Sequence, residues 1–110
     1  MKNIIPILFL LASTGIYAGE QEVIEGKKIA FDRKKGNCLA CHMIPGGDLP
    51  GNVAPPLIQM KARFPDAEAL KKQIWDARDK NPQTIMPPFG THNILSASEI
   101  DLLVEYLYTL

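Results

Sequence analysis

No regular secondary structure survives the stretch Pro45-Gly46-Gly47-Asp48-Leu49-Pro50-Gly51-Asn52-Val53-Ala54-Pro55-Pro56. Proline fixes φ and withholds a backbone donor, glycine weakens helix and strand interiors alike, and neither the helical nor the alternating apolar period runs through the segment. A loop of that length sits awkwardly in a small domain unless it wraps something. The chain has 110 residues, enough for one domain and too few for two. A domain of this size buries a modest share of its unfolded surface and commonly relies on a metal, a disulfide or a cofactor. Twelve Lys and Arg balance twelve Asp and Glu, and 46% of the residues are hydrophobic. That composition sets aside a disordered chain and a basic nucleic-acid binder, and no repeat or low-complexity tract suggests a solenoid or a tail.

The N-terminus reads as an export signal. Lys2 precedes the apolar run Ile4-Ile5-Pro6-Ile7-Leu8-Phe9-Leu10-Leu11-Ala12, and Ile16-Tyr17-Ala18 offers a cleavage site after Ala18. The apolar stretch is shorter than the roughly 20 residues that span a bilayer and contains Pro6. The expected organisation is therefore a signal peptide over 1–18 and one domain over 19–110, with no stable membrane insertion after cleavage. Loss of Lys2 leaves eleven basic against twelve acidic residues, a formal charge of −1, so partner choice should be local rather than steered by the whole protein's field.

Helical patterns flank the loop and no alternation marks a strand. Val23, Ile24, Ala30 and Phe31 fall near helical spacing in a first helix predicted over Glu20–Lys35, with Lys34 and Lys35 in its last turn and Gly36 as its stop. Asp66 is a natural N-cap for a second helix carrying Ala67, Leu70, Ile74 and Ala77 to about Arg78. Ser96 and Glu99 form a capping box ahead of Ile100, Leu103, Val104 and Leu107, which mark the buried stripe of a last helix. Three helices joined by Pro/Gly loops predict an all-α domain.

Both cysteines of the chain fall in Gly36-Asn37-Cys38-Leu39-Ala40-Cys41-His42, and Cys-x-x-Cys-His is the attachment sequence of c-type haem. Two thiols three positions apart on a helical turn can each add to one haem vinyl group. The next residue then turns its imidazole to the iron from the same side. A thioredoxin-like dithiol would want a βαβ pattern, which is missing. A zinc site would need further ligands, and only His42, His92 or carboxylates are on offer. One covalent haem c therefore accounts for the motif, the small core and the long loop together.

The candidates for the iron's other face are Met43, Met60, Met86 and His92. Met43 follows His42 directly and cannot reach the opposite side of a porphyrin. Met60 reads as packing. Met86 lies in Thr84-Ile85-Met86-Pro87-Pro88-Phe89-Gly90, where two prolines make a stiff loop able to hold a thioether in place, and it is the preferred ligand. His92 is the competitor, since replacing Met86 would give a bis-His iron. A His/Met pair favours electron transfer over oxygen or peroxide chemistry and raises the potential relative to bis-His. The second nitrogen of His42 needs an acceptor that sets its tautomer, and the Pro55 carbonyl in the returning loop is the candidate. Trp75, Tyr106 and Tyr108 read as core aromatics or pocket lining, and Lys27, Lys28, Arg33, Lys34 and Lys35 as a solvated face rather than a docking patch.

Ala30-Phe31-Asp32-Arg33, Gly36 to His42, Pro55-Pro56-Leu57, Thr84 to Gly90, and Ile94-Leu95-Ser96 with Glu99-Ile100 together resemble the SoxX family of sulfur-oxidation monohaem cytochromes c, over nearly all of residues 19–110. The resemblance implies a class I cytochrome c fold, with Cys38 and Cys41 holding haem and His42 and Met86 as axial ligands. It further implies a periplasmic subunit of the SoxAX complex, an L-cysteine S-thiosulfotransferase, paired with a SoxA-type cytochrome c as a heterodimer. In that complex thiosulfate is joined to a cysteine of the SoxYZ carrier, and SoxX accepts the electrons released and passes them to a downstream cytochrome c. The family's catalytic cysteine belongs to SoxA, so this chain alone is expected to have no sulfur-transferase activity. The alternative is a free-standing monohaem electron shuttle.

Overall fold

The computed structural model describes residues 2–7 and 18–110. Most of the apolar run of the expected export signal, and its cleavage site up to Tyr17, lie outside the described residues. The described residues form helices and turns without a strand, in the order α1 (Ala18–Phe31), α2 (Met60–Arg63), α3 (Ala67–Trp75) and α4 (Ala97–Leu107). None of these helices is long and apolar enough to cross a membrane.

The frame is the pair α1 and α4. Helix α1 turns Val23, Gly26, Ile29 and Ala30 toward α4, and Gly26 lies directly against the Leu102 carbonyl and the Tyr106 Cβ. A glycine inside a helix costs about 1 kcal/mol relative to alanine, and here the missing Cβ is what lets the two backbones approach. Ile24, assigned to the apolar face from spacing, points largely to solvent, because Gly26 sets the true contact line. Phe31 meets Tyr106 with ring centroids 6.4 Å apart in a tilted arrangement.

Helix α1 ends at Phe31 rather than at Lys35. The Asp32 carboxylate accepts the Lys34 amide at 2.8 Å, and the Asp32 carbonyl accepts the amides of Lys35 and Asn37 at 3.0 Å each. Asp32 thus offers the backbone a turn in place of further helix, as short acidic side chains do. Gly36 lies beyond this turn, where its amide reaches back to the Ile29 carbonyl at 3.1 Å. Lys35, released from the helix, pairs with Glu99 of α4.

Asp66 caps α3 by accepting the Glu68 amide at 3.0 Å. The helix stops at Trp75, short of Arg78, because Asp76 leaves helical geometry and caps a separate 3₁₀ turn over Ala77–Asp79. The Ser96/Glu99 capping box is closed in both directions, each bond at 3.1 Å. Behind it Ile100, Leu103, Val104 and Leu107 are buried against Ile29, Ile44, Leu70 and Ile74 in one core. At the end of α4 the Tyr108 hydroxyl donates to the Phe64 carbonyl at 2.8 Å, and the Met60 amide donates to the Leu110 carbonyl at 3.3 Å, so the C-terminus anchors α2.

Candidate functional site

A cleft of about 720 Å³ opens in the space that the short helices leave in front of α4. One wall is the segment from Gly36 to His42. Asn37 adopts the left-handed conformation, φ 48°, which ends the preceding turn and starts a 3₁₀ turn over Cys38–Ala40. The amides of Cys41 and His42 both return to the Cys38 carbonyl, at 3.3 and 2.9 Å. This tight turn brings Cys38, Cys41 and His42 to the same cleft. Both thiols are unbridged, and burial pushes that of Cys38 up to about 11, so in the bare chain it is held as the neutral thiol.

The Pro/Gly loop lies against this wall and is bonded to it at three points. The Gly51 amide donates to the Leu39 carbonyl at 2.8 Å, the Ala54 amide to the Cys41 carbonyl at 3.1 Å, and the Leu57 amide to the Met43 carbonyl at 2.8 Å. Gly51 touches the Ala40 carbonyl and the Cys41 Cα so closely that a side chain there has no room. Three of the loop's amides are thus satisfied by the segment they cover. In this register the Pro55 carbonyl lies 2.5 Å from His42 Nδ1. A carbonyl only accepts, so Nδ1 carries the proton and Nε2 keeps its lone pair. The neighbouring Pro56 carbonyl accepts from Arg63 Nη1 at 2.8 Å, which holds the loop from the other side.

Further lining comes from the loop that carries Thr84, Ile85, Met86, Pro87 and Phe89. Met86 is half-buried and lines the same cleft as His42, and its amide donates to the Thr84 hydroxyl at 3.2 Å. Met60 also lines the cleft but belongs to the core, and its sulfur accepts from Arg63 Nη1 at 3.5 Å. His92 is exposed and lies outside the cleft lining, as does Met43. Trp75, Tyr106 and Tyr108 do not line it either: Tyr106 is core, Tyr108 is a tie to Phe64, and Trp75 is a 42% exposed platform under Gly90. Arg33, Lys35 and Arg63 lie at the cleft, and among the described residues no carboxylate side chain lines it. Sequence reading missed Arg63, Asp76 and Thr91, polar residues whose partners are distant or irregular in sequence.

The residues present fit a haem. The cleft offers two free thiols and an imidazole with an available Nε2 from one turn, a thioether from a second loop, an apolar interior, and cations suited to propionate carboxylates. They do not fit a zinc site: among the described residues no group of three or more His, Cys, Asp or Glu side chains is placed to hold a metal ion.

Comparison with known proteins agrees with that chemistry. Residues 23–110 match the cytochrome c family. An uncharacterized lipoprotein of Aquifex aeolicus (strain VF5) is 32% identical over 100 residues, which cover 87% of this chain and 46% of the relative. The chain thus spans about half the length of that curated relative. The all-helical architecture is that of class I cytochromes c, and the family is one of haem electron-transfer proteins. The chain belongs to the cytochrome c family, and its cofactor is covalently bound haem c.

Proposed function

We propose that this chain is a periplasmic electron-transfer cytochrome in which Cys38 and Cys41 form the thioether links and His42 Nε2 and Met86 Sδ are the axial ligands, and that it serves as the SoxX subunit of a SoxAX complex. The observation that carries the ligand assignment is the hydrogen bond from His42 Nδ1 to Pro55, which frees Nε2 in the cleft that Met86 also lines. Bound haem supplies a one-electron iron couple. The protein's part is to hold two dissimilar donors, exclude water with the apolar lining, and fix the histidine tautomer. With both axial positions filled, electron transfer is favoured over ligand chemistry.

The SoxX assignment is supported by the Gly-Asn-Cys-Leu-Ala-Cys-His string together with Met-Pro-Pro-Phe-Gly, and by the use of both cysteines in the motif, which leaves no thiol for sulfur transfer. Export is supported by the N-terminal apolar run and by the lipoprotein description of the Aquifex relative. In this role the chain receives electrons released when a SoxA-type partner joins thiosulfate to a SoxYZ carrier cysteine, and passes them to a downstream cytochrome c. Purification from the native host tests it. A stable heterodimer with a second c-type cytochrome, reduced on addition of thiosulfate and carrier, is the expected result. A monomer at every step, unreduced under those conditions, would leave a free-standing shuttle.

A further inference from the structure

We propose that Asp76 is a positioning residue for Met86, acting through Thr91 and the C-terminal turn of α3 on the loop that carries the thioether. The proposal rests on the reading of Met86 as an iron ligand. Asp76 is the one charged side chain among the buried described residues. A carboxylate so placed needs partners for both oxygens. Oδ1 accepts the Arg78 amide at 3.1 Å and Nε at 2.8 Å, and Oδ2 accepts Arg78 Nη2 at 2.7 Å. Capping a turn requires only the first of these, as Asp66 shows at the start of α3. The guanidinium fork does more, since it immobilises the carboxylate plane. Oδ2 is thereby aimed across the chain at Thr91, whose hydroxyl donates to it at 2.8 Å.

The same junction holds the loop by its backbone. The Trp75 carbonyl accepts the amides of Gly90 and Thr91 at 3.0 and 3.4 Å, and Gly90 lies flat on the Trp75 indole, where any Cβ would collide with the ring. Between this clamp and Met86 stand Pro87 and Pro88, with restricted φ, and the buried Phe89. On the other side the Thr84 amide is tied to the Asn81 carbonyl at 3.0 Å. Among the described residues the Met86 side chain has no hydrogen-bond partner and is only partly buried against the core, so these two tethers on its loop help set its place, and a shift at Thr91 passes through a stiff segment to the sulfur.

The test uses the holoprotein, with the methionine–iron charge-transfer absorption read in the oxidised form and carbon monoxide affinity in the reduced form. Thr91→Val and Asp76→Asn should keep covalent haem while carbon monoxide binds about fivefold more tightly, the value of one hydrogen bond, and the charge-transfer band should fade at lower temperature than in wild type. Thr91→Ser should restore both readouts. Tyr108→Phe removes a hydrogen bond far from the loop and should leave carbon monoxide affinity unchanged, with the band lost only together with global unfolding rather than ahead of it. Wild-type affinity and band in Thr91→Val, or an equal change in Tyr108→Phe, overturns the proposal. If Met86→Ala opens the iron and Thr91→Val does not, the clamp falls and the ligand assignment stands. If Met86→Ala changes neither readout, both fall. Should Asp76→Asn fail to assemble, Thr91→Val decides alone.

Discussion

On the His42 wall the chain is held by backbone bonds spread along a loop laid over the segment from Leu39 to Met43, whereas on the Met86 wall the loop is tied by backbone bonds at its two ends, a side-chain bond at Thr91 and two prolines between. The first wall carries amide bonds from Gly51, Ala54 and Leu57 to the carbonyls of Leu39, Cys41 and Met43. The second depends on Asp76, Thr91 and the Trp75 platform. Bonds spread along a loop break only when it leaves as a unit, while a segment tied at its ends can yield between them. The difference teaches that the His42 side of the cleft is the more firmly fixed, and that on the proposed ligand assignment the Met86 side is the one open to adjustment.

The comparison can be broken from either wall. The largest effect is expected on the first: Cys38→Ala with Cys41→Ala should abolish covalent haem, measured as loss of haem from the chain after denaturation. Next, Gly51→Ala should lift the loop from the Ala40 carbonyl and destabilise the holoprotein by about 2–3 kcal/mol in denaturant titration, the scale of overpacking. A loss near zero would show that the register is not fixed there. On the second wall, Met86→Ala should leave haem attached and lower the reduction potential measured by redox titration, without that penalty in folding.

Acid should discriminate further. The Arg78 guanidinium beside Asp76 holds its carboxyl well below the usual carboxylate range, helped by the Thr91 hydroxyl. A depressed folded value means the contribution is fully present above the unfolded value near 3.9 and is lost as pH falls through the folded value. Asp76→Asn should therefore be less stable than wild type at neutral pH, and the gap in Tm should close progressively below about pH 4. A gap that stays constant to pH 2 would remove Asp76 as an ionised clamp. The smallest expected effect lies away from both walls: Ser96→Ala should cost about 1 kcal/mol through loss of the cap on α4, with the iron spectrum unchanged.

Much of this was legible in the residues. The capping box at Ser96, the Asp66 cap and the stripe from Ile100 to Leu107 are local signals, and local signals survive folding. Spacing alone extends the first helix to Lys35 because Lys34 and Lys35 suit a helix end, while the competing turn at Asp32 depends on an amide partner that propensity does not reveal. Gly26 was passed over because a glycine inside a helix carries no positive signal until another backbone is seen against it. Cys38, Cys41, His42, Pro55 and Met86, nominated from motif and loop chemistry, all line one cleft, and His92, six residues past Met86, does not.

The pentapeptide Cys38 to His42 was enough to specify the cofactor class, since thiol spacing and an adjacent imidazole are properties of neighbouring residues. Which methionine shares the cleft, which carbonyl meets His42 Nδ1, and that a carboxylate at the end of α3 steadies the loop beyond it were decided by the folded chain. Those contacts join residues 13 to 15 or more positions apart. Their geometry exists only once burial and backbone bonding have closed the intervening loops.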